Sequence, residues 1–149
     1  KTAHDTIVVS RTYDAAAKRV FAAWADAAAL GRWYVPGDAN WTSRVLAHEF
    51  RVGGRKHLTF GAKGGPLYSE DCRYEDIVEN WRLCFSMTIA CDGVRTTTSM
   101  VTVELFPEGA RTRVKVEQVG AKAPVVDPRD ARHRDRNARL EVVFVSGGS

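Results

Sequence analysis

Residues 50–55 read Phe50-Arg51-Val52-Gly53-Gly54-Arg55 and separate two segments in which apolar and polar residues alternate. Glycine adopts the positive backbone dihedrals of a tight hairpin turn at no steric cost. The glycine pair therefore predicts that a strand ending near Val52 folds back onto a strand beginning near Arg55.

The same alternation predicts strands on both sides of this turn. Glycine, proline and asparagine signals separate them, which favours antiparallel hairpins. Leu83, Phe85 and Met87 share one face of their strand, so one side of the sheet is expected to be apolar. The predicted strands cover residues 6–13, 44–52, 56–61, 67–78, 82–90, 96–106 and 112–120. Together they predict one curved, seven-stranded antiparallel sheet.

A helical pair is predicted between the first strand and the others. Asp14 is expected to cap the first helix and Asp26 the second, because aspartate at this position accepts hydrogen bonds from free backbone N–H groups. Pro36 is expected to end the pair, since proline disfavours helical geometry in the residue before it. The apolar face of the first helix is formed by Ala17, Val20, Phe21 and Trp24. The fold class is therefore α+β.

Composition argues for one globular domain and against several kinds of partner. The chain has 149 residues, 44% of them apolar, and its net charge of +4 is spread along the sequence. We therefore expect no nucleic-acid footprint. No apolar run is long enough for a membrane helix, so we also expect no membrane partner. Residues 1–10 contain no apolar leader core, and we expect the protein to be cytoplasmic.

Metal and cofactor sites are not predicted. The three cysteines, Cys72, Cys84 and Cys91, are odd in number and lack the spacing of a zinc site. The histidines are scattered, and no motif for a nucleotide cofactor is present.

Residues 121–149 lack a clear apolar stripe, and several interpretations stay open. Asp127-Pro128 could begin a helix, whereas Glu141–Val145 resembles a strand that could pair with a second copy and form a homodimer. The arginine-rich run also fits a solvated or disordered tail. A reading-frame change in a GC-rich gene would produce such a composition, a hypothesis that sequencing the gene tests.

Several spaced motifs in residues 6–120 resemble one family. They are Arg11-Thr12-Tyr13-Asp14-Ala15, Val20-Phe21-Ala22-Ala23-Trp24, Leu30-Gly31-Arg32-Trp33-Tyr34, Arg51-Val52-Gly53-Gly54-Arg55, Tyr74-Glu75-Asp76-Ile77, Arg82-Leu83 and Thr102-Val103-Glu104-Leu105-Phe106. The chain is similar to the bacterial proteins related to the activator of the heat-shock-protein-90 ATPase, a branch of the START-like, helix-grip (SRPBCC) superfamily. The family's closing helix has no recognisable counterpart after Val119. The resemblance implies a single START-like domain over residues 1–149, of which residues 121–149 are divergent.

The resemblance further implies a hollow between sheet and helices that holds a hydrophobic small molecule. Aromatic and aliphatic residues that could line such a hollow share faces of the predicted strands and helices. The candidates are Trp24, Trp33, Phe50, Leu58, Phe60, Tyr68, Tyr74, Phe85 and Met87. Plain core packing is the alternative for each of them.

The candidate catalytic group is Glu70, which is expected to share a face with Tyr68 and Tyr74 and to have Arg51 or His57 as a partner from a neighbouring strand. A carboxylate in an apolar hollow can act as an acid or base. Three functions are therefore left open: binding of a hydrophobic small molecule, an enzyme of the cyclase or hydrolase kind, and a module that interacts with a chaperone.

Overall fold

The computed structural model describes residues 3–34 and 39–122, which form one antiparallel sheet and two helices. The elements are β1 (Ala3–Tyr13), α1 (Ala17–Ala25), α2 (Ala27–Trp33), β2 (Trp41–His48), β3 (Arg55–Ala62), β4 (Tyr68–Val78), β5 (Arg82–Cys91), β6 (Val94–Glu108) and β7 (Arg111–Lys122). The strand order in this seven-stranded sheet is β1-β7-β6-β5-β4-β3-β2. The predicted α+β fold class is confirmed.

The strand order explains where the helices lie. From β2 to β7 every strand pairs with its neighbour in the chain, whereas β1 pairs with β7 at the far edge from β2. The connection from β1 to β2 must therefore cross the whole sheet, and α1 and α2 form this crossing. Helix α1 contacts β6 and β7, and α2 contacts β2.

Burial alternates along the strands as the sequence pattern predicts. On β5, Leu83, Phe85 and Met87 are buried, while the residues between them are half-buried. The core continues on β6 and β7 through Val101, Val103, Leu105, Val114 and Val116. One face of the sheet is thus the apolar interior, and the helices lie on this interior face.

Of the two predicted helix caps, the structure shows the second and not the first. Ala16 is the cap residue of α1, and no side chain caps this end, so the prediction for Asp14 is wrong. The prediction for Asp26 is confirmed, because its carboxylate accepts hydrogen bonds from the backbone N–H groups of Ala28 (3.4 Å) and Ala29 (3.1 Å). Helix α2 ends at Trp33. Pro36 lies outside the described residues.

The turn around Gly53-Gly54 is longer than predicted. Strand β2 ends at His48 and β3 begins at Arg55, so a loop of residues 49–54 replaces the tight hairpin. The loop is held by β4, because the Gly53 N–H donates to the Tyr74 carbonyl (2.7 Å) and the Tyr74 N–H donates to the Gly54 carbonyl (3.0 Å). Backbone pairing with a third strand therefore overrides the two-residue turn.

Strand β7 reaches Lys122, two residues beyond its predicted end at residue 120. The predictions for a helix, a strand or a disordered tail after residue 122 lie outside the described residues. Among the described helices, none has the length and apolar character needed to cross a membrane.

Gly54 provides a direct test of this loop. A Cβ atom at this position would clash with the carbonyl oxygen of Glu49 and would lie 2.8 Å from that of Arg51. We expect Gly54→Ala to lower the free energy of unfolding by more than about 1 kcal/mol. Urea unfolding measures this loss.

Gly31 supplies the matched control, because a Cβ there meets Val45 at an ordinary 3.7 Å within helix α2. Gly31→Ala should stabilise the protein by up to about 1 kcal/mol. Equal effects of the two substitutions would contradict the description of the loop.

Candidate functional site

An ion pair is buried between β3 and β4. The Lys56 ammonium nitrogen Nζ lies 3.2 Å from Glu70 Oε1, and these side chains are 0% and 2% exposed. Alternation on β3 places Lys56 on the inner face together with Leu58 and Phe60. Burying two charges costs several kcal/mol per ion unless pairing and hydrogen bonds compensate.

Two further donors hold the Glu70 carboxylate. The Tyr34 hydroxyl donates to Oε1 over 2.7 Å, and the Cys72 thiol donates to the same atom over 3.3 Å. Burial, reinforced by Glu70, raises the pKa of Tyr34 well above its ordinary value. Burial likewise raises the pKa of the Cys72 thiol. Both groups are therefore protonated donors at neutral pH, and Tyr34 joins the end of α2 to the ion pair.

The Lys56 ammonium also faces two aromatic rings. Its nitrogen lies 4.1 Å from the ring centre of Tyr34 and 4.3 Å from that of Phe85, distances at which a cation is attracted to the ring. In the part of the chain that the structure describes, this nitrogen makes no hydrogen bond. Among the described residues it thus faces the Glu70 carboxylate and two rings. We refer to Tyr34, Lys56, Glu70 and Cys72 as the buried polar centre.

Aromatic rings surround the buried polar centre. Trp24 packs edge-on against Trp33 with ring centres 4.7 Å apart, and Phe50 packs edge-on against Tyr74 at 5.1 Å. The structure brings all the predicted ligand-lining residues to one interior cluster. Trp24, Leu58, Phe60, Tyr68, Tyr74, Phe85 and Met87 are buried in it, and Trp33 and Phe50 pack against it half-buried. Whether they contact a ligand stays a prediction.

His48 lies beside this cluster. Its Nε2 atom is 3.0 Å from the Tyr74 hydroxyl, and its ring packs near Phe50 with centres 5.8 Å apart. Burial, together with the charge of Lys56, lowers the pKa of His48, whereas Asp26 opposes this change. Burial raises the pKa of Tyr74. The neutral imidazole is therefore favoured in the folded protein.

The structure corrects the predicted partners of Glu70. Arg51 is exposed and pairs with Glu49 over 2.9 Å. His57 follows Lys56 in β3, so its side chain lies on the opposite face of the strand. Its Nδ1 atom is 3.1 Å from Arg55 Nη2. Neither residue pairs with Glu70. The prediction that Glu70 shares a face with Tyr68 and Tyr74 is confirmed.

Sequence reasoning missed Lys56 and Tyr34. A signal for Lys56 was available, since a lysine alternating with Leu58 and Phe60 must share their face. No comparable signal exists for Tyr34, because its contact with Glu70 joins residues 36 positions apart.

A second polar spot lies on the interior face of β6 and β7. Gln118 Nε2 donates to Ser99 Oγ over 2.9 Å, while Gln118 Oε1 has no hydrogen-bond partner among the described residues. A cavity of about 10 Å³ adjoins it, lined by Asp5, Ile7, Thr97, Gln118 and Gly120. This volume suits about one water molecule.

Within residues 3–34 and 39–122, no cluster of histidine, cysteine, aspartate or glutamate side chains has the composition to hold a metal ion. Among the described residues, the buried polar centre is therefore the main candidate for a functional site.

Comparison with known proteins identifies the family. The profile described as "Activator of Hsp90 ATPase homolog 1-like protein" matches residues 14–139. The match extends beyond residue 120, the end of the range over which the motifs indicate the resemblance. The chain belongs to this family. A comparison with curated proteins gave no match.

Solved structures of the same fold agree. The Mll3558 protein from Rhizobium loti is 34% identical, with a TM-score of 0.78, and the alignment covers 99% of each chain. Protein CV1439 from Chromobacterium violaceum is 23% identical with a TM-score of 0.77, covering 97% of this chain and 95% of that one. A protein from Arthrobacter aurescens is 23% identical with a TM-score of 0.73, covering 95% and 80%. The last two similarities concern the fold alone.

Lys56→Met measures how strongly the buried Glu70 carboxylate depends on its cation. This substitution leaves the Glu70 carboxylate buried without its cation, so we expect the free energy of unfolding to fall by about 3–5 kcal/mol. Adding Glu70→Gln, which removes the orphaned charge and keeps an acceptor for Tyr34, should recover much of the loss. Chemical denaturation of both variants tests this.

The control is Arg55→Met on the opposite face of β3, where Arg55 pairs with Asp71 at 51% exposure of each side chain. An exposed pair contributes only about 0–1 kcal/mol. If Lys56→Met lowers the free energy of unfolding no more than Arg55→Met does, the buried carboxylate does not depend on Lys56 as we describe.

His48 should make stability depend on pH. Its pKa is lowered in the folded protein, so the unfolded chain binds a proton more readily. The free energy of unfolding should therefore fall as the pH drops from about 7 to about 5, through the ordinary histidine value of about 6.5. The variant His48→Gln removes the titrating ring, and its stability should change less over this range. Parallel slopes for the two proteins would show that His48 does not contribute.

Proposed function

We propose that this protein binds an apolar small molecule on the interior face of its sheet, at the buried polar centre beneath α1 and α2. The observation that carries the proposal is a lysine–glutamate pair, 0% and 2% exposed, enclosed by aromatic rings. Small-molecule sites combine apolar and aromatic walls with a few polar groups that orient the ligand. The interior of this protein has both components.

Stability alone does not account for the pair. Replacing a buried ion pair by well-packed apolar residues is often neutral or stabilising by about 1–4 kcal/mol. The ammonium of Lys56 is buried without a hydrogen bond among the described residues. A buried donor without a hydrogen bond destabilises the folded protein. The same donor can bind an acceptor atom of a ligand.

An enzymatic role for Glu70 is less well supported than binding. The acceptor atom Oε1 is already engaged by Lys56, Tyr34 and Cys72. A general base must reach the proton that it abstracts. The contacts of Glu70 therefore favour a role in holding the centre together.

The family description favours interaction with a chaperone as a second candidate function. Such an interaction would use the outer surface, and it is compatible with a ligand in the interior. Similarity of fold does not by itself determine function, and the site supports ligand binding more directly.

Native mass spectrometry of protein purified from its host tests the proposal. We expect a population heavier than the bare chain, from which organic extraction releases an apolar compound. Titration of the extracted protein with that compound should restore the added mass.

Two methionines on opposite faces of the sheet provide matched variants. Met87 is 1% exposed on the interior face, whereas Met100 is 40% exposed on the outer face. Met87→Trp should fill interior space and weaken binding of the extracted compound at least about tenfold, equivalent to about 1.4 kcal/mol. Met100→Trp should bind it as the wild type does. Circular dichroism confirms that both are folded, and absence of any bound or titratable apolar compound would contradict the proposal.

A further inference from the structure

The hydrogen-bonding capacity of Lys56 limits the chemistry of a ligand, an inference that rests on the proposed function. A lysine ammonium carries three N–H donors and no acceptor. Glu70 lies 3.2 Å away as an ion pair, and the nitrogen has no hydrogen-bonded partner in residues 3–34 and 39–122. A ligand that satisfies Lys56 must therefore supply an acceptor atom.

The charges of the buried polar centre limit the ligand further. The positive charge of Lys56 and the negative charge of Glu70 cancel, and Tyr34 and Cys72 are neutral donors already directed at the carboxylate. An anionic ligand would add a negative charge, and among the described residues no second buried cation is available to pair with it. Such an unpaired buried charge is strongly unfavourable.

The rings around Lys56 limit the shape of the ligand. The ammonium lies over the rings of Tyr34 and Phe85, whose centres are 4.1 and 4.3 Å away, so an acceptor that reaches it must pass close to flat aromatic surfaces. A planar carbonyl group attached to an apolar or aromatic body meets this requirement.

We infer that the ligand is a neutral carbonyl compound, such as an aryl ketone or ester, whose oxygen accepts a hydrogen bond from Lys56. The carbonyl oxygen supplies the missing acceptor without adding charge, and the apolar body packs against the aromatic cluster. The charge balance disfavours a fatty acid or another carboxylate.

Three probes of nearly equal size test the inference. Acetophenone is a neutral ketone, cumene replaces its oxygen by a methyl group, and benzoate is an anion. Dissociation constants are measured by NMR titration of the full chain. A hydrogen bond to a charged donor predicts that acetophenone binds at least about tenfold more tightly than cumene, and benzoate more weakly than acetophenone.

The variant Lys56→Met with Glu70→Gln removes both charges while leaving an acceptor for Tyr34. The ratio of cumene to acetophenone dissociation constants should fall by about tenfold in this variant relative to the wild type. This comparison cancels differences in the hydrophobicity of the probes. The dissociation constants of Lys56→Met alone are measured as well if this variant folds. The comparison of the three probes with the wild-type protein does not depend on this variant.

The outcomes separate the inference from the proposed function. Equal binding of cumene and acetophenone by the wild type would overturn the inference while leaving apolar binding intact. Tightest binding of benzoate would overturn it in favour of an acidic ligand. Binding of none of the probes would overturn the inference, whereas the proposed function is decided separately by native mass spectrometry of the protein from its host.

Discussion

The ion pair between Lys56 and Glu70 is the interaction on which the arrangement of this domain depends. The register of β3 and β4 places Lys56 opposite Cys72 and Leu58 opposite Glu70, so the two charges meet diagonally. A slip of one residue would turn Lys56 outward and leave the carboxylate buried alone. Tyr34 adds a second constraint, because its hydrogen bond to Glu70 requires the end of α2 to lie over these strands. One buried carboxylate thus ties together two strands and the helical crossing.

The loop of residues 49–54, between β2 and β3, also helps to position the residues around the ion pair. Its hydrogen bonds to Tyr74 continue the pairing of β4 at the point where a register shift occurs between Tyr74 and Asp76. A register shift of this kind bends a strand locally. The result is that Phe50 and His48 lie against Tyr74 and close the interior cluster at that edge. Gly54 allows the close approach of backbone on which the loop depends.

The local pattern of apolar and polar residues predicts the fold well and the candidate site only in part. Alternation identified the strands and their inner face, and helical spacing identified α1, because both patterns repeat along the chain. The turn at Gly53-Gly54 was predicted too short, since pairing with β4 is not encoded within the turn itself. Glu70 was found because a carboxylate interrupts an apolar face, and the same reasoning applied to β3 would have found Lys56. Tyr34 joins the site through tertiary packing, which no local pattern records.

Two ion pairs between β3 and β4 have the same offset but differ in burial. Arg55 and Asp71 meet diagonally on the outer face of β3 and β4, with the same offset that Lys56 and Glu70 have on the inner face. The guanidinium lowers the pKa of Asp71, so the outer pair is ionised at neutral pH and favours the same register in contact with water. The inner pair repeats this geometry at the full cost of desolvation. Because the outer pair favours the same register without the cost of burial, the inner pair is consistent with the ligand recognition that we propose.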